Sequence, residues 1–167
     1  MKKLLLLDAD VIIDLHSLGL FDRICKTYDV CVTRTVLGEA SYFKKDGKRH
    51  KIDIRGRVNV VEDVDLDSLK AVQRESKEAR IGIDTGELES VSYLNCTEEE
   101  ILFCTCDRAA VKLISFMELE HRSVSLEMAL RTTGYHKKNL YPRHWERTFR
   151  EFIKEGKVLR IQLKKLV

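Results

Sequence analysis

Twice in this chain an unbroken apolar run stops on an aspartate and gives way to a helical pattern. Leu4–Leu7 leads into Asp8, and the run Ile101-Leu102-Phe103-Cys104-Thr105-Cys106 leads into Asp107. A strand that is apolar at every position has both faces buried, as happens in a parallel sheet covered by helices. Open α/β sheets bind their ligands at the carboxyl ends of the strands. The repeated pattern therefore points to an α/β fold and sets Asp8 and Asp107 where a site would form.

The rest of the chain alternates in the same way. After a strand at Lys3–Leu7, the pattern predicts a helix from about Val11 to Leu18 and a strand at Asp29–Thr33. A helix near Thr35–Phe43 would place Val36, Ala40 and Phe43 on one face. The basic stretch 44–57 reads as a loop or a loose helix, and Val58–Val61 as a short strand. Helices fit Asp65–Ala79 and Thr85–Leu94, followed by a strand at Ile101–Cys104 and a helix from Arg108 to about Leu119. Ser123-Val124 suits a short strand and Leu126–Thr132 a helix. Pro142, the only proline, fits the first turn of a helix running to about Lys154. Gly156 can end that helix, and Val158–Leu163 alternates like an edge strand. Strands separated by helices predict a mainly parallel sheet with helices on both faces.

With 167 residues, 44% of them apolar and 34% charged, the chain has the length and balance of one globular domain. Only four leucines separate Met1-Lys2-Lys3 from Asp8, too few for a signal-peptide core or a membrane span, so a cytoplasmic location is expected. The five cysteines, Cys25, Cys31, Cys96, Cys104 and Cys106, are an odd number and read as reduced thiols. Cys104-Thr105-Cys106 is not a zinc spacing. Charge is unevenly distributed: residues 131–167 hold eleven Lys and Arg against three Glu, a surplus of eight. Residues 1–130 hold 19 against 24 acids, a deficit of five. An acidic centre with basic flanks suits a metal site served by surfaces that attract a polyanion.

Each candidate acid also has a structural explanation. Asp8 or Asp10 can cap the helix that follows. Glu39, three residues after Val36, borders an apolar helix face where a lone carboxylate is costly. Asp84-Thr85-Gly86-Glu87 has the form of a capping box, yet Glu87 shares the face of Val91 and Leu94 while Glu89 points towards solvent. Asp107 repeats the arrangement of Asp8. Taken as a set, acids at strand ends and inward helix starts, with no Lys or Arg in the strands to balance them, suggest a site for Mg²⁺ or Mn²⁺ through oxygen ligands.

Four segments resemble the PIN-domain nucleases, the fold of VapC-type toxins and several RNA-processing enzymes. LLLLDADVIIDL (Leu4–Leu15) resembles the family's first strand, with Asp8 as first acid and Asp10 two residues on. VLGEA (Val36–Ala40) is similar to the second-acid helix, giving Glu39. DTGELESV (Asp84–Val91) is similar to a Gly-Glu helix start, giving Glu87 with Asp84 as substitute or assistant. LFCTCDRAA (Leu102–Ala110) resembles the strand ending in Thr-x-Asp, giving Thr105 and Asp107. The matches cover about residues 1–125 in the family's order. The resemblance implies a PIN-like, Rossmann-like three-layer sandwich over 1–167 and metal-dependent phosphodiester cleavage, mostly of RNA. Asp8, Glu39, Glu87 and Asp107 would then hold one or two Mg²⁺ or Mn²⁺ ions, and Thr105 would orient Asp8 or a water. A toxin role would bring a small antitoxin partner, and a homodimer is compatible with the fold.

Arg143, Arg147, Arg150 and Lys154 recur as one helical stripe opposite Trp145, Phe149 and Phe152, with His136, Lys137, Lys138 and Tyr141 beside it. With Lys44, Lys45, Lys48 and Arg49, they form the candidate nucleic-acid contacts. The rival enzyme is a haloacid-dehalogenase-type phosphatase with Asp8 as nucleophile and Asp10 as acid, but Val11-Ile12 stands where that family has Gly-Thr or Gly-Val. The other rival is a PIN-like module that binds RNA or a partner protein without catalysis.

Overall fold

Consecutive residues of β1 (Lys3–Leu7) feed two different cores, because side chains alternate across a strand. The computed structural model describes residues 1–137 and 139–164. Leu5 and Leu7 pack with Val30, Val32 and the helices on one face, and Leu6 packs with Cys31, Ile101 and Phe103 on the other. This double burial is why the segment is apolar at every position.

The chain continues through α1 (Ala9–Ser17), α2 (Phe21–Thr27), β2 (Tyr28–Thr33), α3 (Arg34–Glu39), β3 (Tyr42–Lys45), β4 (Lys48–Lys51) and β5 (Asn59–Val61). It then forms α4 (Leu66–Ala79), α5 (Thr85–Cys96), β6 (Ile101–Cys104), α6 (Arg108–Phe116), β7 (Ser123–Val124), α7 (Leu126–Thr132) and α8 (Glu146–Lys164). Five strands make an entirely parallel sheet in the order β5-β2-β1-β6-β7. Helices α1, α2 and α7 contribute to the core on one face, and α4, α5 and α6 to the core on the other. Phe149 and Ile153 of α8 pack on Val111 of α6, outside that layer. The result is the expected three-layer α/β sandwich.

From β1 the chain winds outward to β2 and β5, then crosses back to β6 on the opposite side of β1. The winding direction reverses between β1 and β6, which opens a crevice at their carboxyl ends. Asp8 follows one strand and Thr105 and Asp107 follow the other. The backbone N–H of Asp8 continues the ladder by donating to the carbonyl of Cys104 at 3.2 Å.

Several expectations need correction. The stretch 44–57 is neither loop nor loose helix at its start: β3 and β4 form an antiparallel ribbon, with Asp46 and Gly47 at φ 52° and 72° in its two-residue turn. Positive φ at both turn positions matches the twist of the flanking strands. The helix expected to reach Phe43 stops at Glu39, and α2 lies where no element was expected. Val158–Leu163 is helical, not an edge strand, because Leu159 and Leu163, one turn apart, pack against the second core. Gly156 does not end α8; it lies inside it, where a Cβ would collide with the Lys112 carbonyl and the Ser115 side chain of α6. Pro142 opens a short 3-10 turn, Pro142–His144, and α8 starts only at Glu146. All five cysteines are free thiols. Among the described residues no helix is long and apolar enough to cross a membrane.

Candidate functional site

Asp8 leaves β1 in an extended conformation and caps α1, its Oδ1 accepting the Ala9 N–H at 2.8 Å. Its Oδ2 accepts the Thr105 hydroxyl at 2.8 Å. That hydroxyl also accepts the Asp107 N–H at 3.2 Å. A hydroxyl has one hydrogen to donate, so Thr105 spends it on Asp8 and offers a lone pair to Asp107. One buried threonine thus ties together the two strand-end acids. Asp107 in turn caps α6, its Oδ1 accepting the Ala110 N–H at 2.9 Å.

The third acid arrives from α5. Asp84 Oδ1 accepts the Glu87 N–H at 2.8 Å, and Glu87 Oε2 accepts the Asp84 N–H at 3.0 Å. The capping box expected from the sequence is therefore present. It does not exclude a functional role, since Glu87 is only 8% exposed and points inward. Glu39, at the end of α3, is exposed, and its carboxylate occupies the space beside Gly86: a Cβ there would lie 2.6 Å from Glu39 Oε2. Glu89 does not simply face solvent; its Oε1 accepts the Thr35 hydroxyl at 2.8 Å.

The charges of these acids act on one another. Burial, opposed by the bonds from Thr105 and Ala9 and reinforced by Asp10 and Asp84, pushes Asp8 up to about 6. Burial, then the charges of Asp107, Asp84 and Asp8, push Glu87 up to about 8, against the bond from the Asp84 N–H. Asp10 is raised by burial and by Asp14, Asp107 and Asp84, and Arg143 partly offsets this. Glu39 is raised by burial and then by Asp84, Glu89 and Asp10. Six carboxylates, Asp8, Asp10, Glu39, Asp84, Glu87 and Asp107, therefore share one electrostatic neighbourhood at the crevice.

They do not form a single coordination sphere: no three His, Cys, Asp or Glu side chains among the described residues converge as a preformed metal site. Capping explains part of this, because Asp8, Asp84, Glu87 and Asp107 each commit an oxygen to a backbone N–H. The donor chemistry nevertheless suits a hard divalent cation, all carboxylate and hydroxyl oxygen. The neighbouring Cys106 thiol is pushed up by burial and by Asp14.

The basic candidates divide. Lys44, Lys45, Lys48 and Arg49 are all exposed on the β3–β4 ribbon. The stripe Arg143, Arg147, Arg150 and Lys154 is not an acid-free cationic face. Arg143 lies before α8 and forms a bidentate pair with Asp14, Nη2–Oδ1 2.8 Å and Nε–Oδ2 3.0 Å. Arg150 donates to Glu146 at 2.6 Å, and Arg147 lies 3.6 Å from Glu151. Lys154 is exposed. Trp145 also lies before the helix and is 43% exposed, with its indole N–H on the Leu140 carbonyl. His136, Lys137 and Tyr141 are exposed, and Lys138 lies outside the described residues.

The Asp14 partnership was not read from the sequence. One signal was present: Asp10 and Asp14 stand four apart on α1, a repelling pair that needs a cation nearby. No protein-family model, no curated protein and no solved structure matches this chain.

Proposed function

We propose that this protein is a ribonuclease of the PIN type that cleaves phosphodiester bonds with Mg²⁺ or Mn²⁺. The observation that carries the reading is the crowding of Asp8, Glu87 and Asp107 at the switch point between β1 and β6. Two of these acids are pushed up to about 6 and about 8 by burial and by each other's charge. A cluster of raised carboxylates in a crevice costs stability and is characteristic of a site that meets a cation. The ordered PIN resemblance over residues 1–125 supports the same assignment.

A bound divalent ion would shield the phosphodiester and supply an activated water. The side chains divide the remaining work. Thr105 holds the Asp8 carboxylate in one orientation and anchors the Asp107 backbone. Glu87 has to give up the proton that its burial favours before it can act as a ligand. Glu39 and Asp84 stand at the exposed rim, available to complete the oxygen set. Asp8, buried with both oxygens hydrogen-bonded, is poorly presented as a nucleophile, which weighs against the phosphatase reading.

The test is cleavage of single-stranded RNA by the full chain with Mn²⁺ or Mg²⁺, with and without EDTA, beside Asp8→Asn and Asp107→Asn. Cleavage that requires metal and both aspartates is expected. Cleavage that survives chelation and both substitutions would overturn the assignment. RNA binding without cleavage would identify a non-catalytic module instead.

A further inference from the structure

The β3–β4 ribbon is hard to explain as a folding element. Its ten residues, 42–51, carry Lys44, Lys45, Lys48, Arg49 and Lys51 against the single acid Asp46. The ladder pairs Lys44 with Arg49 and Lys45 with Lys48, so like charges face each other at two consecutive rungs. Directly opposed like charges destabilise a strand pair. None of these five cations forms an ion pair among the described residues; Arg34 and Arg57, on either side, both do. Lysines on exposed edges deter strand pairing between chains, but that purpose does not require stacking cations across the ladder.

The two faces of the ribbon differ. Phe43 stacks on His50, with ring centroids 5.1 Å apart, and leans on His16 of α1 at 5.6 Å, which fixes the ribbon's base. The opposite face carries Tyr42, Lys44, Arg49 and Lys51, all exposed, with the Arg49 guanidinium 3.8 Å above the Tyr42 ring. Same-face residues on a strand recur about every 6.8 Å, giving a row of cations beside an aromatic plane. Cations that follow a backbone, with an aromatic face for unpaired bases, are what single-stranded nucleic acid requires. The position is also favourable: β3 begins three residues after Glu39, at the rim of the acidic crevice. A polyanion is repelled by that crevice and needs a cationic hold beside it.

We propose that the β3–β4 ribbon is an arm that grips single-stranded RNA next to the crevice, with Lys44, Arg49 and Lys51 on phosphates and a base on the Tyr42 ring, which Arg49 uncovers as it turns to a phosphate. Naming the RNA as substrate rests on the nuclease reading; the binding itself does not. The C-terminal helix, whose arginines are already paired with glutamates, makes the lesser contribution.

The experiment measures fluorescence anisotropy of a labelled oligouridylate with the full chain in EDTA, across a salt series. Losing three phosphate contacts in Lys44→Ala/Arg49→Ala/Lys51→Ala should flatten the slope of log K against log salt by about 2. Tyr42→Ala should weaken binding by about tenfold. Lys70→Ala/Arg74→Ala, exposed cations of α4 and the control, should leave the slope as it was. An unchanged slope in the ribbon variant, no RNA binding by the parent chain, or tighter binding to duplex DNA than to the oligouridylate would each overturn the proposal. Because EDTA removes cleavage from the readout, the two readings separate. Ribbon-dependent binding by a chain that never cleaves RNA sinks the nuclease assignment alone. Metal-dependent cleavage with ribbon-independent binding sinks the ribbon alone.

Discussion

His144 Nε2 and Asp14 Oδ2 lie 2.7 Å apart, 130 residues distant in sequence, with the imidazole entirely buried. Its Nδ1 accepts the Tyr141 N–H at 3.2 Å, so the hydrogen directed at Asp14 sits on Nε2. Arg143 holds the same carboxylate from its exposed side. Burial raises the Asp14 carboxyl, but the bonds from His144 and Arg143 outweigh it and hold the group below the ordinary range. A lowered carboxylate gives stability that is present above its unfolded pKa of 3.8 and is lost as pH falls through the lower folded value. His144→Ala should cost about 3 kcal/mol in urea unfolding at neutral pH, since it leaves a buried charge short of a partner. A loss below about 1 kcal/mol would mean that Arg143 and water satisfy Asp14 alone.

Gly86→Ala separates stability from function. The added methyl would displace the Glu39 carboxylate, the free end of a flexible side chain. Alanine also suits a helix better than glycine by up to about 1 kcal/mol. The variant should melt no lower than the parent while metal-dependent cleavage falls about tenfold or more. Full activity would remove Glu39 from the site.

Thr105→Val keeps the shape of the residue and deletes both of its hydrogen bonds. The Asp8 carboxyl should rise further, and the half-buried Asp107 N–H loses its acceptor, at a cost of about 1 kcal/mol. Thr105→Ser should recover cleavage where valine abolishes it. Equal activity of valine and serine variants would make Thr105 a packing residue only.

Metal affinity should depend on pH in a stated direction. Asp8 titrates near 6 and Glu87 near 8, and each has to lose its proton to act as a ligand. Mn²⁺ affinity should climb from about pH 5 to pH 8 and then level off, with protons released to buffer in calorimetry. The metal-free protein should show the opposite trend. Both carboxyls are raised above their ordinary values of 3.8 and 4.5, so their contribution is full below those values and lost as pH rises through about 6 and about 8. Asp8→Asn should therefore stabilise the metal-free protein at pH 7 while removing its thermal response to Mn²⁺. Destabilisation of the metal-free form by that substitution would contradict the electrostatic account.

The parts of this architecture that could be read from sequence are those where local pattern and burial agree. Leu4–Leu7 and Ile101–Cys104 are apolar throughout because each lies between two helical layers, and their carboxyl-end acids followed from that alone. The turns that cap α4, α5 and α6 carry their own Asp signals. The ribbon was missed although Asp46-Gly47 is a strong turn signal, because cations stand where alternating apolar residues mark a strand. In α8, Val158-Leu159-Arg160-Ile161 imitates a strand; only packing of Leu159 and Leu163 one turn apart reveals the helix. No local pattern could pair Asp14 with Arg143 and His144, since the contact exists only after the C-terminal segment docks on α1.

The register that aligns β1 with β6 joins Leu7 to Cys104, and the Asp8–Thr105 bond closes a span of 97 residues. Pairing of such distant segments is slow, because the chain entropy of closing the loop is lost before contacts repay it. While the chain is being synthesised, Asp8 emerges long before Thr105 and Asp107, and a nascent chain has half a crevice. Whatever the crevice binds can therefore be bound only once the domain is almost whole.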